Sequence, residues 1–371
     1  MKQYVGLDVS MEETSVCVLD DAGTVVFVGS APSRPEALTK LLRAQAQHAE
    51  RIALETGSLS SWLWCELKAV GLPVVCLDAR HAKAALSMRI NKTDRNDARG
   101  LAELIRMGWY REAKVKSMES RQIRAVLAAR AKLVDLRRDL ENQMRGLLKS
   151  LGLVIGKAGV RALPSRIATL LRQAPHLRPL IDPLMAAHST LAKQVAKYDA
   201  QIRELAKADQ TIQRLMTVPG VGPVTALAFA STIDDPHRFA RATDVGAYLG
   251  LTPRRYQSGE LDRNGRISKR GDRLARYYLF EAANVLLTVV RRPSSLKSWA
   301  TKLAKRVGPK KAKVAVARKL AVILHRMWTS CPRACRQANS LLIFFSSLAS
   351  SIHSCIWDDS LSRNFWASGD G

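Results

Sequence analysis

Four acidic residues near the start of the chain have the types and spacing of a site for divalent cations. Asp8 in YVGLDVS and Glu55 in IALETG each close a short apolar run that is typical of a β-strand. Asp94 and Asp97 lie about one helical turn apart in NKTDRND, where a helix begins. Carboxylates that converge at a sheet edge repel one another unless cations neutralise them, and Mg²⁺ prefers such oxygen ligands. Two-metal sites of this kind drive phosphodiester chemistry.

Each of these residues also has an ordinary structural interpretation. Asp8 could cap a turn, Glu55 could cap the helix that follows it, and Asp97 could lie in a polar loop at a helix N-terminus, where carboxylates are favoured. Their combination in one α/β region favours the metal site. Lys92 and Arg95 flank the aspartate pair and could either hold phosphates or balance its charge.

A second candidate site is the basic stretch GLTPRRYQSGELDRNGRISKRGDRLARYYL at 250–279. Guanidinium groups bind phosphates bidentately and stabilise the charge that develops on a phosphoryl group. Ser258 precedes a glycine in a predicted loop, where its hydroxyl could be exposed for attack. Ser268 lies nearer the next helix and could equally be its cap, so chemistry alone does not choose between the two serines. The basic residues around them are Arg254, Arg255, Arg263, Arg266, Lys269, Arg270 and Arg273.

The sequence TVPGVGPVTALAF at 217–229 predicts two helices joined by a glycine turn. A glycine turn before a helix N-terminus offers backbone N–H groups to a phosphate, as in the helix-hairpin-helix element of DNA-binding proteins. Gly220 and Gly222 are therefore candidate nucleic-acid contacts. The alternative is a plain connection between helices.

The charge balance indicates a polyanionic partner. The 371 residues carry a formal net charge of +27, and over half of it lies in 241–319, with about 20 Lys and Arg against 5 Asp and Glu. Nucleic acid relieves such self-repulsion and releases counterions on binding. No apolar run of about twenty residues predicts a membrane span, the N-terminus lacks a signal-peptide core, and six scattered cysteines favour a reducing cytoplasm.

The elements that must position these sites divide the chain into regions of different character. In the first part, the runs YVGLDVS, TSVCVLD, TVVFVG, RIALET and LPVVCLD predict strands, with a hairpin turn at 20–23 and helices at 35–48 and in SSWLWCELKAVG. Antiparallel strands followed by alternation of strand and helix predict a mixed sheet with helices packed on it.

Long helices are predicted between 117 and 215, interrupted by glycines and prolines at 151–179. Apolar residues recur there every seventh position, which indicates either two long antiparallel helices or a coiled coil between protomers. These residues are Val126, Leu133, Leu140 and Leu147, then Leu184, Leu191, Tyr198, Leu205 and Ile212, with Val195 and Ile202 offset on the same stripe.

Taken in order and spacing, the series YVGLDVS, ALETG, NKTDRNDARGLAE, VPGVGPVTA, GLTPRRYQSGE and GRISKRGD resembles the IS110-family transposases, most closely the IS1111 group. The resemblance covers roughly 3–325. It implies an α/β RuvC-like (RNase H-like) catalytic domain over 1–112, a helical coiled-coil segment over 113–212, and a mainly α-helical transposase domain over 213–330. Residues 331–371 form an atypical tail outside the pattern, which either departs from the ancestral reading frame or forms an ordinary terminal helix and loop.

The resemblance further implies a function. The DEDD carboxylates of the family fall on Asp8, Glu55, Asp94 and Asp97, which would hold Mg²⁺, and its catalytic serine falls on Ser258. The implied activity is DNA transposition with a bridge RNA, by a homo-oligomer in the bacterial cytoplasm, associated with the nucleoid. The alternatives are a Holliday-junction-type endonuclease that uses water in place of serine, and an inactive nucleic-acid-binding remnant.

Overall fold

The computed structural model describes residues 1–87, 93–159, 162–259 and 261–329. They form two compact units, Met1–Ser117 and a second one from Met118 onward. Lys92 and the atypical tail at 331–371, both singled out from the sequence, lie outside the described residues.

The first unit contains a five-stranded mixed sheet, as the sequence predicts. Its strands are β1 Gln3–Val9, β2 Glu13–Asp20, β3 Val25–Pro32, β4 Ala49–Glu55 and β5 Val74–Leu77. Their spatial order is β3-β2-β1-β4-β5. The first three strands pair antiparallel, whereas β1 pairs parallel with β4 and β4 with β5.

Helices cover both faces of this sheet. They are α1 Pro35–Gln45, α2 Ser60–Ala69, α3 Ala79–Leu86 and α4 Asp94–Arg106. Successive side chains of a strand point to opposite faces. Val5 and Leu7 therefore pack with Leu38 and Leu63 of α1 and α2. Alternate strand positions contribute to a second cluster on the other face, which contains Ala53, Leu77, Ala82, Leu101, Leu104 and Ile105.

Helix α4 lies directly on β1 because Gly6 has no side chain. A Cβ atom at Gly6 would lie 1.9 Å from the carbonyl oxygen of Ala98 and 2.6 Å from the amide nitrogen of Ala102. Ala98 and Ala102 are themselves small and buried, beside Cys17 and Leu19 of β2. The backbones of helix and strand thus meet, and this contact fixes where the first turn of α4 lies along the sheet.

Replacing Gly6 with valine is expected to destabilise the first unit by about 2 kcal/mol or more, because the added atoms meet backbone that has no room to move. Urea denaturation followed by far-UV circular dichroism measures the change. The matched control is Gly146→Ala in α5, where no atom lies within 4 Å of the added Cβ. That change is expected to be neutral or stabilising by up to about 1 kcal/mol. Equal midpoints for the Gly6 variant and the unmodified protein would contradict the close contact.

The second unit is mainly helical and contains one β-hairpin among its described residues. Its helices are α5 Met118–Ser150, α6 Leu163–Gln173, α7 Arg178–Ala208, α8 Gln210–Met216, α9 Pro223–Ile233, α10 Asp244–Tyr248, α11 Arg273–Thr288, α12 Ser295–Val307 and α13 Pro309–Thr329, with short 3-10 turns at Pro175–Leu177 and Pro236–Arg238. The hairpin consists of β6 Pro253–Ser258 and β7 Leu261–Ile267. The prediction of a loop at Ser258 is therefore wrong, because Ser258 is the last residue of a strand.

Helix α9 is the centre of this unit. All of its residues from Thr225 to Ile233 are buried, with Phe229 among the largest of the fully buried side chains. The same hydrophobic cluster includes Leu127 of α5 and Ile202 of α7. The long helices thus share a core with the C-terminal region, although the sequence alone suggested a separate segment at 113–212.

Helices α5 and α7 pack against each other antiparallel within one chain. Arg130 donates to Asp199 at 2.6 Å, and His188 Nε2 lies 3.0 Å from a carboxylate oxygen of Glu141, so residue numbers fall on α7 as they rise on α5. The buried stripe on α7 is Ile181, His188, Val195 and Ile202. The predicted seven-residue spacing is confirmed, but the leucines of the main predicted stripe lie beside it and are only half-buried.

We expect these half-buried leucines to promote self-association. Leu133→Glu combined with Leu140→Glu places two charges on an apolar stripe of α5 and is expected to weaken oligomerisation at least about tenfold. Sedimentation velocity over a range of concentrations measures the shift towards monomer. Ala128→Glu with Gln143→Glu, at exposed positions of the same helix, is the control. An unchanged oligomeric state in the leucine variant would show that these leucines pack only within one chain.

Candidate active site

Asp8 and Glu55 lie side by side at the carboxyl ends of two neighbouring parallel strands. Leu7 of β1 is in register with Leu54 of β4, and the next residue on each strand is the acidic one. Asp8 is two residues after Gly6, and Glu55 is two residues after Ala53. Gly6 and Ala53 both lie on the face that α4 covers. Because strand side chains alternate with a period of two, both carboxylates lie on that same face. Both residues are half-buried.

The first turn of α4 brings Asp94 and Asp97 towards the same end of the sheet. Asp97 directly precedes Ala98, whose carbonyl meets β1 at Gly6. The C-terminal end of α4 lies at the opposite end of the strands, because Arg106 donates to the carbonyl of Asp21, in the β2–β3 turn, at 3.2 Å. Helix α4 therefore runs opposite to β1. Its N-terminus lies near the strand ends, with Asp97 half-buried and both Asp94 and Arg95 exposed.

Neither α4 nor α2 has one of these carboxylates at its N-cap position. Thr93 is the N-cap of α4, and its hydroxyl accepts from the amide of Asn96 at 3.2 Å. Helix α2 begins after Leu59, with no side-chain cap of its own, so Glu55 does not cap it. Asp94 and Asp97 nevertheless lie in the first turn of α4, where carboxylates are favoured, as their structural interpretation predicts.

The donor set suits a hard divalent cation. All four groups are carboxylates, and three of them are tied to one end and one face of the sheet by β1, β4 and the contact of α4 with Gly6. Within the described part of the chain, no group of three or more Asp, Glu, His or Cys side chains is arranged closely enough to hold a metal ion. The four residues thus lie towards the same end of the sheet, but the described side chains are not close enough together to coordinate one ion.

A buried thiol of the neighbouring strand β5 faces away from these carboxylates. Burial, followed by the negative charges of Glu112 and Glu55, raises the pKa of Cys76 to about 12. Cys76 is in the hydrophobic cluster with Leu38 and Leu63, on the face of the sheet opposite to the one that α4 covers. The oxygen donors alone define the chemistry at this end of the sheet.

Ser258 lies at the tip of the β6–β7 hairpin. It is the last residue of β6, opposite Leu261, and it precedes a turn in which Gly259 has a φ of 56°. Ser258 is exposed, as are Arg254, Arg263 and Arg266 of the same hairpin. The hydroxyl is thus presented to solvent among cationic side chains, which is the surrounding that an incoming phosphate requires.

One arginine of the hairpin is already paired. Arg255 donates through two nitrogens to the carboxylate of Asp262, at 2.8 and 2.6 Å. This hydrogen bonding holds the pKa of Asp262 below its ordinary value and raises that of Arg255. Both residues are exposed, so solvent screens the pair. Asp262 is therefore a weak base, although it is the described acidic residue nearest to Ser258 in the hairpin.

Ser268 has a different environment. Its amide donates to the carbonyl of Thr252 at 2.8 Å, where the hairpin joins the helical core. Asp272 is the N-cap of α11 and accepts from the amide of Ala275 at 2.7 Å, so the interpretation of Ser268 as the cap is wrong. Of the two candidate serines, Ser258 is exposed and Ser268 is half-buried. The neighbouring candidates Lys269 and Arg270 are exposed.

The glycine turn between α8 and α9 has a packing function. Gly220 has a φ of 90°, and a Cβ there would lie 2.6 Å from the carbonyl oxygen of Ala282 in α11. Gly222, at the N-cap position of α9, has open space where a side chain would be. Of these two glycines, Gly222 thus borders a helix N-terminus with room for a ligand. The phosphate contact at this turn stays a prediction.

The sequence predicts a basic region at 241–319 but does not single out the surface on α12 and around the start of α13. No Asp or Glu occurs between Glu281 and the end of α13, a signal that residue counting over a wider window concealed. On α12, Lys302, Lys305 and Arg306 are exposed and lie three and four residues apart, on one face. The other exposed cations of this acid-free stretch are Arg291, Arg292, Lys310 and Lys311.

The fold and the candidate sites together define a class of protein. A mixed β-sheet that is flanked by helices and has carboxylates at one end of its central strands is RuvC-like. The second unit combines helices with a basic hairpin that contains Ser258. Among the described helices, none combines the length and apolar character that a membrane crossing requires. These features are those of an enzyme that processes nucleic acid.

Comparison with known proteins identifies the family. Residues 5–152 match the family model of IS110 transposases of the DEDD type, described as a transposase, and residues 212–299 match the transposase IS116/IS110/IS902 family. The chain is 31% identical over 280 residues to a probable family 20 transposase of Pseudomonas aeruginosa, covering 74% of this chain and 82% of that protein. It is 28% identical over 333 residues to the transposase for insertion sequence element IS1111A of Coxiella burnetii, covering 88% and 90%. The chain belongs to the IS110 family of transposases.

Proposed function

We propose that this transposase cuts and rejoins DNA at the ends of its own mobile element, using the carboxylates of the first unit and the serine of the hairpin. The observation that supports the proposal most directly is the placement of Asp8, Glu55 and the first turn of α4 at one end of the sheet. The family match makes DNA the substrate, since a transposase acts on DNA.

The acidic cluster is proposed to hold divalent metal through Asp8, Glu55, Asp94 and Asp97, and Mg²⁺ fits this set of oxygen donors. Such an ion, when bound, supplies positive charge at the scissile phosphate and at the attacking oxygen. Asp8 and Glu55 come from β1 and β4, paired strands within the sheet, so the protein fixes two of the four donors rigidly. Asp94 is the first residue of its helix and is exposed, so its donor is less constrained.

Ser258 is proposed to be the nucleophile. Its Oγ forms a bond to phosphorus, the bond from phosphorus to one strand breaks, and that strand leaves as a hydroxyl-terminated end. The serine proton passes to a base, and the leaving oxygen takes up a proton, so the step is balanced. A strand hydroxyl then attacks the phosphoserine and restores the serine. The bond energy is kept in the protein–DNA link, so rejoining requires no nucleotide cofactor.

We propose that the base for this step comes from outside the hairpin. The stretch at 253–271 contains no histidine. Asp262 is held ionised by Arg255, and the hydrogen bonds from Arg255 lower the basicity of its carboxylate. The carboxylates of the first unit are the remaining acidic groups with a proposed catalytic role. The proposal therefore assigns both sets of residues to the same reaction on DNA.

The proposed partners beyond DNA are a guide RNA transcribed from the element and further copies of this chain. The supporting observations are the net charge of +27, the family match, and the half-buried apolar stripe of α5. An excision assay tests the function: a plasmid that carries the element with its flanking DNA is incubated with protein, Mg²⁺ and transcripts of the element. Excision that needs the protein and is lost on prior ribonuclease treatment supports guidance. Excision that is insensitive to ribonuclease refutes guidance and leaves transposition intact.

Binding to nucleic acid is expected to depend strongly on salt. Each phosphate contact contributes about 0.9 to the slope of log K against log [salt] on duplex DNA, so the basic residues at 241–319 should give a slope steeper than about −3. Fluorescence anisotropy at several NaCl concentrations measures it. Lys302→Gln, Lys305→Gln and Arg306→Gln together should reduce the slope by about 2 to 3. Lys193→Gln with Lys197→Gln on α7 should leave it unchanged. A slope shallower than about −3 would refute the proposed contact surface.

A further inference from the structure

We propose that Tyr256 stacks on a base next to the scissile phosphate and thereby orients that phosphate towards Ser258. This inference rests on the proposed function of the hairpin and adds a positioning residue to it. The ligand class is an unpaired or distorted nucleotide, whose exposed base offers an aromatic face.

The first observation is the exposure of Tyr256. Its residue surface is 57% exposed, although tyrosine normally buries most of its ring. The side chain is nevertheless in a defined place, because the ring lies against the backbone of β7 at Gly265. A Cβ atom added to Gly265 would lie 2.9 Å from Cε2 of Tyr256. Glycine at this position thus leaves room for the ring, which has support from one strand and remains open to solvent.

The second observation is the shared face of Tyr256 and Ser258. The two residues are two positions apart on β6, so their side chains point to the same face of the hairpin, about 6.5 to 7 Å apart along the strand. That spacing is about twice the ~3.4 Å rise between stacked bases. A base on the Tyr256 ring therefore places a neighbouring phosphate within reach of the Ser258 hydroxyl.

The third observation is the distribution of charge between the two faces of the hairpin. Arg263 is directly opposite Tyr256 in the strand pairing, on the same face as the ring and Ser258. The other face carries the ion pair of Arg255 and Asp262, whose charges offset each other. The face with the serine thus has an arginine beside an aromatic ring, which is the combination that binds a backbone phosphate and its base together.

Two other roles would place a tyrosine here. The ring could merely cover a glycine in the sheet, which stabilises the hairpin without touching nucleic acid. Its hydroxyl could itself attack phosphorus. Three substitutions separate these roles: Tyr256→Phe keeps the ring and removes the hydroxyl, Tyr256→Leu keeps an apolar cover but cannot stack, and Tyr256→Trp enlarges the stacking surface.

The experiment uses the full chain with Ser258→Ala, so that binding is read without chemistry. Element-end DNA carries 2-aminopurine at one position at a time across the mapped cleavage site. Stacking on an aromatic ring quenches this fluorophore. We expect quenching beside the scissile phosphate with Tyr256, the same quenching in the Tyr256→Phe protein, and at least equal quenching in the Tyr256→Trp protein. The Tyr256→Leu protein should lose the quench and bind about tenfold more weakly.

The same Tyr256 variants are then assayed for cleavage with Ser258 intact. Tyr256→Phe should stay within about twofold of the unmodified enzyme, and Tyr256→Leu should fall by about tenfold or more. A Tyr256→Leu protein that quenches and cleaves normally overturns the proposal. Loss of cleavage in Tyr256→Phe overturns it as well, because the hydroxyl would then be the essential group.

Thermal denaturation accompanies each variant. If Tyr256→Leu fails to fold, the Tyr256→Trp protein decides: folding with full quench supports stacking, and folding without quench overturns it. Failure of Ser258 as the nucleophile is distinguishable from failure of this inference. In that case the covalent adduct is missing from active enzyme, while the quench at the neighbouring base remains.

Discussion

The Asp8→Asn protein is expected to lose strand cleavage by a factor of at least about 100 while binding nucleic acid within about twofold of the unmodified chain. The substitution replaces a carboxylate with a neutral amide of the same shape at the end of β1, so the fold should be retained. It removes one negative ligand from a set in which Glu55 is the immediate neighbour. The gel-based cleavage assay and an anisotropy titration give the two numbers.

A metal titration makes this prediction independent of activity. Isothermal titration with Mg²⁺ or Mn²⁺ should show weaker binding in Asp8→Asn than in the unmodified protein, and Asp97→Asn should behave in the same direction. The matched control is Glu36→Gln, an exposed acidic residue in the first turn of α1, a helix that packs on the other face of the sheet. It should change neither cleavage nor metal affinity. If Asp8→Asn recombines at a normal rate, the metal site has been assigned to the wrong residues.

Ser258→Ala is expected to abolish the covalent protein–DNA adduct completely, because alanine has no oxygen to bond to phosphorus. A suicide substrate with a nick near the cleavage site traps the adduct, and denaturing electrophoresis followed by peptide mapping locates it. Ser268→Ala is the matched control, since that residue is half-buried where the hairpin joins the core. It should lower the adduct yield by no more than about tenfold.

The outcome also separates the reaction classes. A nuclease that activates water needs no serine, so it would cut DNA in the Ser258→Ala protein and form no adduct with any variant. An adduct that maps to Ser268 would instead transfer the nucleophile to the base of the hairpin. A protein that binds DNA and cleaves no substrate under any metal condition would be the inactive remnant.

Much of the first unit could be predicted from sequence because local patterns and the tertiary structure agree there. Apolar runs before Asp8 and Glu55 mark strands that are buried on both faces, and NKTDRND marks the start of α4. The contact that connects them could not be predicted. Gly6 is an ordinary strand residue in the sequence, and only the folded chain shows that the carbonyl of Ala98 occupies the space of its missing side chain.

The hairpin around Ser258 was missed for a physical reason. Its strands have no apolar side for a core: every described residue of β6 after Pro253 is exposed, so alternation of polar and apolar residues is absent. The caps were missed similarly. Thr93 and Asp272 each bond a backbone amide three residues on, and in a stretch with several Ser, Thr and Asp residues the sequence does not say which one is chosen.

The heptad pattern of α5 and α7 predicted the seven-residue spacing correctly but did not identify the most deeply buried stripe. Seven-residue spacing fits any stripe that runs along the helix, and the deepest stripe contains His188, a polar residue that apolar counting omits. His188 meets Glu141 across the helix pair, so polar contacts as well as leucines set the alignment of the two helices.

The division of the acidic residues between strands and helix has a consequence for amide hydrogen exchange. Strand β1 is hydrogen-bonded on both sides, to β2 and β4, so the amides around Asp8 should exchange only through global opening of the unit. At the start of α4, the amides of Asn96 and Asp97 donate to Thr93 at the very end of the helix, so this turn should exchange through local fraying. Binding of a cation that draws Asp94 and Asp97 towards the strand ends should therefore slow exchange at 94–97 and leave β1 unchanged. Exchange rates at the start of this one helix would report on occupancy of the site.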